Sequence, residues 1–341
     1  YDPNRDWAWN WQPMHIQRGA YRYPFSIPEN RLVADFVIDH PNIAGAQHYH
    51  NTGGMILRGP GVKEDHYEPG DIAVLDAIGR RGETILPGYR YINTAEDLYQ
   101  VYGGEGDFCY MMQGIYCYTN ELFTSRHFFR RSPDDKSPGR REDREAFDKY
   151  LLFGGGSVPW HEVDHPQYGK IEVGGFKKSW GRQPPSFLLE EECHRNMAFT
   201  LYHADQMPQV EIQSLQTKPA PGGLTEVTAA VANRKLTPTH AAIDVKNKIT
   251  LPDIVSISGK DLNVVLGMHS ASPFFKRAVE QKRNPQKLRI PTIPGMGAVY
   301  VRWLVQGEEP FTISVRSPKG GSDRRSSDSV ATTHPTSSGS R

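Results

Sequence analysis

Cysteine is scarce in this chain. Cys109, Cys117 and Cys193 are scattered along 341 positions, too few for a disulfide scaffold, and their odd number says little about redox compartment. Net charge is nearly absent as well: 40 Lys and Arg stand against 39 Asp and Glu, a formal +1, with the signs interleaved. Such a balance offers no field to a nucleic-acid backbone or an anionic membrane, so neither is expected as a partner. Long hydrophobic runs are missing too. Ala298–Val305 is broken by Arg302 and falls far short of the ~18 residues a spanning helix needs, which argues against membrane insertion. The chain opens at Tyr1 without a Met, a basic leader or an apolar signal core, and reads as a processed product or the later part of something longer. Glycine and proline are plentiful, at 32 and 26 residues, so a globular chain has loops to spare. Its length suggests about two domains.

Three zones differ in texture. Residues 1–206 alternate helix and strand signals and hold Trp7, Trp9, Trp11, Trp160 and Trp180, a pattern that suggests α/β. Ser26-Ile27-Pro28-Glu29 has the form of a capping box, and Leu32, Val33, Phe36 and Val37 follow on one helical face, read as buried, until Asp39-His40-Pro41. Ile43–Leu57 reads as a strand entering a Thr52-Gly53-Gly54 turn, and Ile115–Phe123 as a second strand. Between them Thr94 begins a short helix ending near Tyr102. Ser132–Arg144 reads as a charged surface loop, and Ser186 as the cap of a long helix with Leu189, Cys193, Met197 and Leu201 at i+4 spacing. Residues 207–317 change to short alternating runs, including Val299–Val305 and Phe311–Val315 joined as a hairpin across Gln306–Glu309, the signature of a small β-sandwich. The Ser/Thr/Gly/Arg-rich stretch 318–341 is expected to be a disordered tail.

Several polar groups in the first zone strain a purely structural explanation. Arg5 beside Asn4 suits capture of a carboxylate, although a plain pairing of Arg5 with Asp6 serves equally. His48 and His50 lie two apart, on one face of a regular strand, and run into Gly53-Gly54. A buried histidine is usually a satisfied core group, yet imidazole is also the commonest metal ligand. Glu121 sits inside an apolar strand, where a carboxylate must pair with a cation or act as a base. The residue types alone leave both readings open.

The order of these features closely resembles the zinc metallocarboxypeptidase family of the carboxypeptidase A type. Asp2-Pro3-Asn4-Arg5-Asp6-Trp7 looks like that family's Asn-Arg element, and Tyr23-Pro24-Phe25-Ser26-Ile27-Pro28-Glu29 like its Pro-Phe-Ser-x-Pro-Glu helix start. Gln47-His48-Tyr49-His50-Asn51 followed by Met55-Ile56-Leu57 resembles the strand supplying the third zinc ligand; the offset to the aliphatic triplet favours His50, with His48 as the alternative. Leu98–Gly104 and Tyr118–Leu122 resemble the segments of the substrate-capping Tyr and the catalytic Glu, here Tyr99 and Glu121. Asp107-Phe108 and Gln113-Gly114-Ile115 also match. The resemblance is close over residues 2–123 and loose to 206.

It implies a mixed twisted sheet with flanking helices, incomplete at its N-terminus, then a C-terminal β-sandwich. It also implies one zinc ion, a peptide substrate with a free C-terminal carboxylate, and export from the cell by a signal outside these residues. Arg5 and Asn4 would bind the carboxylate, Tyr99 would close over the substrate, His50 would ligate zinc, and Glu121 would act as general base towards a zinc-activated water.

The first two zinc ligands of the family, from an upstream His-x-x-Glu, have no counterpart ahead of residue 2, nor does a second carboxylate-binding Arg. The expectation is therefore a metallocarboxypeptidase truncated at its N-terminus and by itself inactive or nearly so. Two alternatives stay open. One is a non-catalytic peptide- or cell-wall-binding protein on the same fold. The other is a metalloprotease built on His161-Glu162-Val163-Asp164-His165, an H-E-x-x-H motif that works only on a helix and that Pro159 and Pro166 make doubtful. Glu105 and Gly106, with Thr119, fall where the family shapes its side-chain pocket. Gly106 supplies no charge and Glu105 is free to point to solvent, so acidic, basic and peptidoglycan-type substrates all stay open. The β domain reads as a stabilising or surface-attachment module, without an aromatic or acidic cluster for sugar or calcium.

Overall fold

Aromatic and β-branched runs form the strands that organise the first half. In the computed structural model, which describes residues 1–124, 141–177, 179 and 182–330, strands β1 (Gly45–Asn51), β2 (Met55–Arg58), β3 (Arg90–Asn93) and β4 (Tyr116–Leu122) make a mixed sheet in the order β1-β4-β2-β3. β4 runs parallel to β1 and antiparallel to β2, while β2 and β3 are parallel. Helices α1 (Pro28–Asp39), α2 (Pro69–Ile85), the short turns α3 (Thr94–Asp97) and α4 (Glu105–Asp107), α5 (Arg141–Leu151) and α6 (Ser186–Asp205) accompany this sheet. A π-helical turn, Phe108–Met112, follows α4 directly. Trp7, Ile56, Leu75, Ile78, Phe108, Tyr116, Tyr118 and Phe199 form the core, burying the apolar surface that drives this half together.

Several local expectations change. α1 starts at Pro28 without a capping box: the buried Asp6 carboxylate accepts hydrogen bonds from Ser26 Oγ (2.8 Å) and Ile27 N (2.9 Å), taking the role foreseen for Ser26. Its inner side carries Asn30 and Ala34, whereas Leu32, Val33 and Phe36, read as buried, are 71%, 52% and 57% exposed. The same inversion occurs on α6, where Leu189, Cys193, Met197 and Leu201 face outward while Asn196, Phe199 and His203 face inward. The Thr94 helix ends at Asp97. Of the expected loop Ser132–Arg144, residues 141–144 open α5; its remainder and Trp180 lie outside the described residues.

The motif His161–His165 is strand, not helix. It ends β5 (Ser157–His165), which pairs antiparallel with β6 (Gly169–Phe176). Two histidines four apart on a strand stand about 13 Å apart along the chain, too far for one metal ion. The H-E-x-x-H metalloprotease reading is therefore discarded.

The C-terminal part is an antiparallel β unit: β7 (Val210–Ala220), β8 (Leu224–Asn233), β9 (Asp253–Ser270), β10 (Val279–Glu280), β11 (Lys287–Ile290), β12 (Gly297–Ser317) and β13 (Gly321–Ser326), with the helical turn α7 (Ala242–Asn247). They form one curled seven-stranded sheet, ordered β10-β9-β12-β8-β7 with β11 on β9 and β13 on β12; a second separate layer is not among the described pairings. Val299–Val305 and Phe311–Val315 do not make a hairpin but lie in the single strand β12. Its register against the long strand β9 shifts three times, so the Gly307 and Pro310 irregularities are absorbed as bulges. Residues 321–330, placed in the tail by composition, form β13 and a 3-10 turn; 331–341 lie outside the described residues.

The two parts meet through buried polar groups. Asp71 of α2 accepts hydrogen bonds from Tyr110 and Tyr116 hydroxyls and from the backbone N–H of Ala242 and Ile243. Lys319 Nζ donates to Gln113 O (3.2 Å) and Gly114 O (2.8 Å), just ahead of β4, and lies 3.4 Å from Asp244 Oδ2. Ala241 and Ile243 join the core of the first part.

Candidate active site

The side chains of β4 alternate, which sets Cys117, Thr119 and Glu121 on the face that opens on a cavity of about 230 Å³. The same cavity is lined by Asn4, Arg5, His50, Tyr99 and Glu105. Residues scattered from 4 to 121 thus converge. His50 is the register partner of Glu121 across the parallel β1–β4 pair, and its Nδ1 lies 3.8 Å from Glu121 Oε1. Glu121 is 9% exposed, and burial raises its pKa above the ordinary carboxylate value although the Arg5 charge opposes this. Burial lowers the pKa of His50, which favours the neutral imidazole that a metal ligand requires.

Arg5 and Asn4 sit on a 3-10 turn, Pro3–Arg5, begun by Asp2 Oδ1 accepting from Asn4 N (2.9 Å). Asn4 Oδ1 accepts from Glu105 N (2.8 Å), tying this turn to the opposite wall. Arg5 Nη1 donates to Asn4 O (2.6 Å) and stands 3.9 Å from Asp2; Asp6 is taken up by Ser26 and Ile27, so the plain Arg5–Asp6 pairing does not form. Gly103 is essential to this corner. Its φ of +66° belongs to the left-handed region, and a Cβ there would lie 2.9 Å from Arg5 O. Trp7 N donates to Gly103 O (3.0 Å) and closes the arrangement. Tyr99 is 52% exposed at the rim.

His48 does not join Glu121. Its Nδ1 lies 2.9 Å from Glu105 Oε1 and its Nε2 3.9 Å from Cys109 Sγ. Burial works against charge on this imidazole, but Cys109 and Glu105 outweigh it and raise its pKa to about 10. Glu105 therefore points into the cleft rather than to solvent, its carboxyl held low by His48 against the opposing effect of burial. Sequence reasoning also passed over Arg58, which lines the cavity and pairs with Asp76 (3.1 Å). Asp107, matched only as half of a motif pair, accepts from Gly61 N and Tyr67 OH and so holds the cavity floor. Its signal in the sequence was its place next to Phe108, the most buried aromatic of the adjoining turn.

Residues 1–146 match the family model described as zinc carboxypeptidase. Over those residues the chain is similar to the zinc carboxypeptidase family. All the residues that converge on the cavity fall within that match. Residues 209–327 match a domain of unknown function (DUF8731), which includes β13 and the first residue of the 3-10 turn after it. No curated protein matches the chain.

The donor set was compared with what a catalytic zinc demands, three protein ligands and one open position. Among the described residues no group of three His, Cys, Asp or Glu side chains comes together to hold a metal ion. His50 fits one ligand position; the residues present do not fit a complete site.

Proposed function

We propose that the cleft binds the C-terminal end of a peptide and supplies the carboxylate recognition and proton transfer of a carboxypeptidase. The observation that carries this reading is the convergence of Arg5, Tyr99, His50 and Glu121 on one cavity within a zinc carboxypeptidase match. Arg5, with Asn4, takes the terminal carboxylate through guanidinium hydrogen bonds, which restricts the enzyme to chain ends. Tyr99 covers the bound residue and excludes water. Glu121 accepts the proton of the attacking water and delivers it to the leaving amine, and its burial makes the carboxylate a stronger base than an exposed one. Because the donors present fit only one ligand position, hydrolysis calls for further ligands beyond the described residues.

Arg5→Ala should weaken binding of free-carboxylate peptides about 10- to 100-fold, the worth of a hydrogen bond to a charged group, while amidated peptides change little in titration calorimetry. Equal losses on both would remove Arg5 from carboxylate recognition. In zinc-supplemented protein that releases C-terminal amino acids, Glu121→Gln should keep peptide affinity and lower turnover about 10²- to 10⁴-fold; a fully active variant would exclude Glu121 as base.

A second reading, a peptide- or cell-wall-binding protein without catalysis, is favoured by the single ligand at His50. Zinc content and exopeptidase assay separate the two. A metal-free, inert protein that still discriminates free from amidated C-termini would support the second.

A further inference from the structure

The curled sheet of the C-terminal part carries a concentration of positive charge that the near-neutral composition conceals. Where β11, β9, β12 and β13 lie side by side, the registers align Lys287, Ser256, Ser314 and Arg324 in one row and Arg289, Ile254, Arg316 and Ser322 in the next. Their neighbours Val255, Ile257, Leu288, Ile290, Ile313 and Val315 turn into the core, so strand alternation leaves the cations on the outer face. Arg283 joins from the β10–β11 turn, which Gln281 pins by donating from Nε2 to Arg283 O (3.2 Å) and Asn284 O (2.9 Å). The result is a groove of about 930 Å³ with no Asp or Glu in its lining.

Some exposed cations elsewhere on the molecule are matched, as in Lys218–Glu226, Lys260–Glu308, Arg234–Glu211 and Lys246–Glu68. Arg283, Lys287, Arg289 and Arg316 in the groove, and Arg324 beside it on β13, make no ion pair among the described residues. Asp323, adjacent to Arg324, is turned to the other face, where Oδ2 accepts from Ile212 N (2.7 Å). An unneutralised patch of one sign attracts its counter-charge.

We propose that this groove binds a linear acidic polysaccharide bearing carboxylates on alternate sugars. Four of the five cations are arginine, whose planar fork matches a carboxylate with two parallel hydrogen bonds. Arg289 and Arg316 are separated by two strand spacings, about 10 Å, and the two rows lie about 7 Å apart along the strands. That is a sparse lattice, suited to a polymer charged on every second sugar. Ser256 and Ser314 lie between the cations as hydroxyl partners for a sugar chain. No aromatic residue lines the groove, so single-stranded nucleic acid lacks its stacking platform.

The test uses the whole 341-residue protein and hyaluronan, whose carboxylates fall on alternate sugars. Binding by surface interferometry should be present at low ionic strength, fall steeply with added salt, and drop at least tenfold in Arg289→Ser/Arg316→Ser. Lys260→Ser, outside the groove, should bind as the parent does. Thermal melting verifies that each variant is folded; should the double variant unfold, Arg283→Ser, on a turn, takes its place with a smaller loss expected. The proposal is overturned if hyaluronan is not bound, if neutral dextran binds equally, if the arginine variants keep full affinity, or if duplex DNA or phosphatidylglycerol vesicles bind more tightly than hyaluronan.

Discussion

Glu105 and His48 illustrate how a residue's role depends on what the fold sets beside it. In sequence, His48 and His50 share one strand face and the offset to the aliphatic triplet favours His50; the register sets the two apart in space. His50 is opposite Glu121, whereas His48 is opposite Thr119 and turns to Glu105 and Cys109. Arg5 is similar, since its neighbour Asp6 looks like a partner until the buried carboxylate is found holding the start of α1. At this scale Gly103 is the most exacting position of the cleft. Gly103→Ala should destabilise the protein by about 1–2 kcal/mol in urea unfolding, the penalty of a left-handed backbone for an L-residue, and more if Arg5 O cannot yield. It should also weaken binding of free-carboxylate peptides, because the displaced backbone belongs to Arg5. Unchanged stability and affinity would show that the corner tolerates a methyl group.

Elements were legible where periodicity and punctuation agreed and obscure where packing overrode them. β4 follows from an aromatic-rich run, and the break between β1 and β2 follows from Gly53-Gly54. α2 drew no expectation because Gly79 and Gly82 weaken a helical reading, yet both are buried in it and a Cβ on either would collide with Tyr91, Ile56 or Phe199. The outward apolar faces of α1 and α6 show the opposite error: spacing predicts an apolar stripe but not which side the sheet lies on. His161–His165 carries the same lesson, since the motif has chemical meaning only on a helix and β5 is a strand. In protein supplied with the further zinc ligands, His161→Ala/His165→Ala should therefore leave zinc uptake, measured by atomic absorption after dialysis, unchanged, while His50→Ala should reduce it. The reverse ordering would restore the discarded reading.

Across the whole molecule, the two parts are joined by charges that neither sequence zone announced. His240 is buried between Asp244 (3.2 Å) and Asp253 (3.0 Å), with Thr250 at 2.9 Å, and Lys319 approaches Asp244 from the segment beyond β12. Burial disfavours the imidazolium, but the two carboxylates prevail and raise its pKa to about 9, while burial pulls Lys319 below its ordinary value. A histidine raised from 6.5 to about 9 contributes stability that is complete below pH 6.5 and disappears as pH rises through 9. The melting temperature should accordingly fall between about pH 7 and 10, and His240→Gln should be less stable at pH 6 with a flatter profile. A parallel decline in the variant would assign the effect to other groups. The sequence by itself determined the motifs that resemble the zinc carboxypeptidase family, the mixed α/β character of the first half and the strand-rich second half. These rest on local periodicity and on residues close along the chain. Only the tertiary structure decided which histidine meets Glu121, where Glu105 points, and that a chain of nearly zero net charge gathers five cations on one sheet face. Strand register and pairing bring together residues tens of positions apart or set neighbours on opposite faces, and no local pattern in the chain records that choice.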